Sequence, residues 1–109
     1  MLKGGIFHPQ LARVLAELRH MDTIVIGDAG LPIPKGVERI DLGWRPGDPK
    51  YLDVLEEVLK VLVVERATFA KEALQVTPDF HKKALALLPE GIPVDYVPHV
   101  ELKKRSEDA

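Results

Sequence analysis

The side chains best suited to moving protons near neutral pH are the chain's four histidines, His8, His20, His81 and His99. Their spacing matches no metal-binding pattern. With no cysteine in the chain there is no thiolate ligand either, so no metal is inferred. His8 stands before Pro9 and reads as a helix N-cap. His81 falls in the first turns of a later helix and reads as solvated. His20 and His99 are the stronger candidates for chemistry. Taken alone, His20 also suits a C-capping position favoured by the helix dipole, and His99 suits an N-cap equally well. Around His20 the sequence runs His-Met-Asp-Thr-Ile-Val-Ile-Gly-Asp, so Asp22 and Asp28 flank a β-branched run, Thr23 to Gly27. An imidazole and a carboxylate fixed to the ends of one rigid element could serve as an acid/base pair. Asp28 reads equally as an Asx-turn residue. Asp22 could be the second carboxylate of a glycosidase-like pair, but bonding to nearby backbone N–H groups suits it better. Gly27-Asp28-Ala29-Gly30 lacks the Lys-Ser/Thr ending and the helix start of a phosphate loop.

The elements that must hold these groups alternate. Pro9 opens a helix predicted to run to about Arg19, with Leu11, Val14, Leu15 and Leu18 on one stripe. Thr23 to Gly27 reads as a strand covered on both faces. Gly30 suits a positive φ after it, and Pro32 and Pro34 stiffen the exit. Val37 to Leu42 reads as a second short strand and residues 43–47 as a loop. Asp48 then reads as the N-cap of a helix with Pro49 at its first position. Leu52, Leu55, Val58 and Leu59 give that helix its core face, and Glu56 with Lys60 forms an i, i+4 pair. A strand is expected in the first half of Val61–Ala70, then a short helical turn in residues 71–75. Thr77-Pro78 starts a helix to about Leu88, burying Phe80, Ala84, Leu87 and Leu88, with Gly91 beyond its end. Pro93 to Val97 reads as a strand, and Pro98-His99 turns into an exposed helical segment, residues 101–109. The sum is an α/β protein, a three-layer α/β/α sandwich with a mostly parallel sheet in a single domain, residues 1–109. Ligands of such sheets bind outside the carboxyl ends of the strands. Asp28 follows the first strand and His99 the last, so parallel strands would set both on one rim.

Composition narrows the class. Hydrophobic content of 46% with 29% charged residues is ordinary for a globular domain. A net charge of -2 argues against a nucleic-acid partner, and the Lys/Arg run at 103–105 is answered by Glu107-Asp108, as on a solvated helix face. No run is long enough to span a membrane and the first residues contain no signal-like apolar stretch. The expectation is therefore a cytoplasmic protein.

His20-x-Asp22-Thr23, four strand residues, then Asp28-Ala29-Gly30-Leu31-Pro32-Ile33-Pro34 resembles the D-ribose pyranase family, sugar mutarotases related to the fucose mutarotases. The similarity extends over Met1 to Gly5, Arg39 to Leu42, Val54-Leu55 and His99 to Ala109. Leu31 to Pro34 is closer to the ribose branch than to the fucose branch. Arg19 stands where the family more usually has Gly. The resemblance implies an isomerase that interconverts the β-pyranose and β-furanose forms of D-ribose and needs no cofactor. It implies His20 as the catalytic proton donor and Asp28 and His99 as substrate-binding residues. It also implies a ring-shaped homo-oligomer, decamer or octamer, with pockets near subunit contacts. Family members carry a further C-terminal segment, so the 109 residues are expected to lack it. The alternatives are a non-catalytic ribose-binding protein, a mutarotase for another sugar such as fucose, and a structural domain with no ligand.

Overall fold

The structure, a computed structural model, describes residues 1–28 and 30–109; Ala29 of the resemblance motif lies outside the described residues. Helix α1 spans Pro9–Glu17. As expected, His8 is its N-cap: the ring Nδ1 accepts from the Leu11 N–H at 3.2 Å, and Pro9 fills a position where no N–H is needed. Helix α2 spans Tyr51–Val61 and turns Leu55 and Val58 inward. Strand β1 is Ala67–Ala70, followed by the short helix α3, Ala73–Val76, and by helix α4, Pro78–Leu87. The chain turns back through Gly91, whose φ of +82° suits glycine. Strand β2, Val94–Val97, leads through Pro98 into helix α5, His99–Arg105, and a closing 3₁₀ turn, Ser106–Asp108.

β1 and β2 pair in parallel, in register from Ala67 opposite Val94 to Ala70 opposite Val97. Parallel neighbours need a crossover, and α3 with α4 supply it. The α/β class and the parallel sheet thus hold. The buried apolar positions among the described residues are Leu15, Leu55, Val58, Ala84 and Val97, contributed by α1, α2, α4 and β2.

Several local expectations give way to tertiary context. Thr23 to Gly27 joins no ladder, and Ile24 and Val25 are 36% and 43% exposed. Its ends are taken by local turns, Asp22 N–H to Arg19 O at one and Leu31 N–H to Asp28 O at the other. Residues 37–42 form no strand either, and the Arg39 carbonyl accepts from the Gln10 side chain at 2.8 Å instead. Of the expected strand's start only Val61 joins α2, whose last turn closes with Leu62 N–H on Val58 O; residues 62–66 are in neither helix nor strand, and the strand begins at Ala67, where β2 offers partners. Asp48 does not cap α2, because its carboxylate pairs with Arg45 Nε, and Lys50 occupies the N-cap position. On α4, Ala84 is buried and Leu87 and Leu88 are half-buried as expected, and the departure is confined to the first turn. Phe80, expected inside, is 43% exposed against Tyr51, while His81, expected in solvent, is 3% exposed. The burial of His81 has a partner: its Nε2 stands 2.7 Å from the Tyr96 hydroxyl on β2.

Candidate active site

The chain leaves α1 by a tight turn that carries His20. Arg19 closes the helix, its guanidinium donating to the carbonyls of Ala16 and Leu18 at 3.0 Å each. Arg19, not His20, is therefore the residue that caps the C-terminus of α1. The Asp22 carboxylate accepts from the Arg19 N–H at 2.7 Å, and the Asp22 N–H returns to the Arg19 carbonyl at 3.0 Å. Asp22 is thus a local backbone partner, as its position before the run had implied. Between them Met21 is held at φ +75°, a left-handed conformation that costs a residue bearing Cβ about 1 kcal/mol or more.

His20 projects from this turn to the far side of a long stretch of chain. Its Nδ1 lies 2.6 Å from Oε1 of Glu65, with side-chain exposures of 74% and 57%. Glu65 is a residue that the sequence offered no way to find, since its partner lies 45 positions away.

Asp28 follows the run. Its Oδ1 accepts from the Gly30 N–H at 3.0 Å, an Asx turn. A Cβ at Gly27 would stand 2.5 Å from Leu31 Cδ2, so any larger residue there would make the Leu31 side chain shift. His99 opens α5, and its backbone N–H donates to both oxygens of Glu72 at 3.0 and 3.2 Å. The same rim is tied by Lys71 N–H to Val97 O at 2.7 Å.

These anchors define two places. Glu65 precedes β1 and holds His20; Glu72 follows β1 and holds His99. The four residues of β1 rise about 10 Å from first to last at ~3.3 Å per residue, with Arg66 and Lys71 standing between the strand and the two glutamates. His99 occupies the carboxyl rim of the parallel pair, as expected, whereas His20 is tethered beyond the amino end. No hydrogen bond joins His20, Asp28 and His99 to one another among the described residues. A groove of about 340 Å³ lies elsewhere, between the N-terminal segment, α1 and α2, lined mainly by apolar residues such as Ile6, Phe7, Leu11 and Val54, with His8, Asp53 and Glu57 among them. It contains none of the three, so the proton-moving groups rather than the groove mark the candidate site.

Fold and anchors describe a small α/β protein with a parallel strand pair and a glutamate-held histidine beyond each end of β1. The chain belongs to the RbsD / FucU transport protein family, whose model matches residues 1–109. It is 52% identical over 109 residues to the D-ribose pyranase of Laribacter hongkongensis, covering 100% of this chain and 82% of that one. It is 50% identical to D-ribose pyranase 1 of Rubrobacter xylanophilus with the same coverage. The structure of Bacillus subtilis RbsD complexed with D-ribose superposes with a TM-score of 0.92 at 38% identity, over 100% of this chain and 82% of that chain. Among the described residues no helix is long and apolar enough to cross a membrane.

Proposed function

We propose that the chain is a D-ribose pyranase, an isomerase that interconverts the β-pyranose and β-furanose forms of D-ribose without a cofactor. The observation that carries this reading is the likeness to D-ribose pyranases along the entire chain. The chemistry required is small. A proton reaches the ring oxygen, another leaves the anomeric hydroxyl, and the open-chain aldehyde recloses through a different hydroxyl. No electron is transferred, so the reaction needs a proton carrier that titrates near neutral pH and groups that hold the sugar. His20 is the acid/base group in this reading. Its exposed ring can exchange protons with solvent between turnovers. Asp28 and His99 bind sugar hydroxyls.

The reading extends to assembly and location. His20 is anchored to Glu65, before β1, and His99 to Glu72, after it. In this reading the chain assembles as a ring-shaped homo-oligomer with pockets near subunit contacts. The protein is cytoplasmic in this reading, and residues 1–109 act as one sugar-binding domain.

Saturation-transfer NMR on equilibrated D-ribose tests the activity. Exchange between the two β ring forms should quicken in the presence of the chain, and His20→Ala should lose about 10²–10⁴-fold of that acceleration. Full acceleration by the variant would sink the assignment of His20. The family's description as transport proteins favours one second reading, a ribose-binding protein that does not catalyse. That reading requires binding of D-ribose with no acceleration by the unsubstituted chain.

A further inference from the structure

We infer that Glu65 is a positioning residue for His20, fixing the ring so that Nδ1 carries a proton and Nε2 faces the sugar. The inference rests on the proposed reading of His20 as the acid/base group. Three observations carry it. First, the 2.6 Å contact joins Nδ1 to an oxygen of Glu65. An ionised carboxylate only accepts, so Nδ1 must donate, and in the neutral ring the lone pair then belongs to Nε2. Secondly, among the described residues the Glu65 carboxylate pairs with His20 alone, since its neighbour Arg66 is engaged with Asp95 on β2 at 2.8 Å. Thirdly, the turn bearing His20 keeps Met21 at φ +75° and is locked by the reciprocal bonds between Arg19 and Asp22. An exposed ion pair contributes little to folding, so stability does not account for holding a strained turn beside one. Aiming the imidazole does account for it, since strain of this kind persists where surrounding structure over-determines a functional geometry. The arrangement parallels the orienting carboxylate of other histidine-based sites, which sets the tautomer without entering the reaction.

The test uses the full chain and follows pyranose–furanose exchange at saturating and at low D-ribose. Glu65→Ala should lower kcat by about 10- to 100-fold with KM nearly unchanged. Glu65→Gln, whose amide oxygen still accepts from Nδ1, should retain most of the rate. In a His20→Ala background Glu65→Ala should cause no further loss, because its effect passes only through the ring. A loss that persists in that background, or an unchanged kcat, overturns the inference while leaving the acid/base reading of His20 intact. If His20→Ala itself leaves the rate untouched, the functional reading fails instead, and nitrogen chemical shifts of the His20 ring still decide the positioning. A wild-type ring protonated at Nδ1 that changes tautomer on Glu65→Ala supports it; the same tautomer in both refutes it.

Discussion

Tyr96→Phe is the substitution whose cost follows most directly from the structure. His81 is 3% exposed, and its Nε2 lies 2.7 Å from the Tyr96 hydroxyl. Two aromatic rings pack against it: the Phe69 ring meets it edge-on at 4.7 Å between centroids, and the Tyr96 ring lies 5.3 Å away. No buried side-chain nitrogen or oxygen among the described residues lacks a partner. Removing the hydroxyl would leave Nε2 with none. A buried polar group left unsatisfied costs about 1–3 kcal/mol. At roughly 4 °C per kcal/mol for a domain of this size, Tm should fall by about 4–12 °C. Urea unfolding should show a lower midpoint with an unchanged m-value, the mark of lost stability without a change in compactness. The double variant His81→Leu with Tyr96→Phe should recover much of the loss, since replacing both partners by apolar groups removes the orphan along with the bond. Tyr96→Phe at less than about 0.5 kcal/mol would mean that Nε2 reaches water, and the burial argument would fail.

Other expectations can be checked with the same protein. Burial pushes the Tyr51 phenol above its ordinary 10.0, so its contribution to stability is complete below pH 10 and is lost as pH rises through the folded value; alkaline unfolding that begins earlier for wild type than for Tyr51→Phe would confirm the sign. The Gln10 amide foremost, with the Arg13 guanidinium, holds the Glu38 carboxyl below 4.5, so the tether from α1 to the 38–39 loop is present above that pH and released as pH falls through the lower folded value. Amide exchange at Arg39 and its neighbours, followed from pH 5 downward, should quicken only below the ordinary carboxylate range. Finally, mixing His20→Ala chains with His99→Ala chains after joint refolding should restore part of the exchange activity that each lacks alone, if a pocket draws on two copies. A mixture as inactive as its parts, with mixed assemblies demonstrated, would rule out a shared pocket.

What was legible in the sequence was local. His8-Pro9 marked the start of α1, the Leu55 and Val58 spacing marked the inner face of α2, and Thr77-Pro78 marked α4, because caps and helical stripes depend on residues three or four apart. Asp22 and the Asx turn at Asp28 were likewise short-range. What failed depended on distant partners. The β-branched residues at 61–64 have strand propensity, yet the strand forms at Ala67, where β2 supplies a ladder. His81 reads as a polar surface residue until Tyr96 is placed beside it, and Phe80 reads as core until it is seen half-exposed against Tyr51. Glu65 carries no signature at all; its meaning comes from a histidine 45 positions earlier in the chain.

The two glutamates flanking β1 hold their histidines differently, and the difference bears on what each histidine can do. Glu65 grips a ring nitrogen, which fixes both the tautomer and the direction of the remaining nitrogen. A group that must deliver a proton to one defined atom benefits from both. Glu72 grips the backbone N–H of His99 and leaves the ring without a recorded hydrogen bond among the described residues. A side chain that only binds a hydroxyl has a weaker need for one tautomer, because the hydroxyl can donate or accept, and the two ring forms of a pentose present their hydroxyls at different positions. A free imidazole on a fixed backbone can follow that change; a clamped one cannot. The same strand thus gives one histidine rigidity and the other only a place, in keeping with the roles proposed for them, proton donation by His20 and hydroxyl binding by His99.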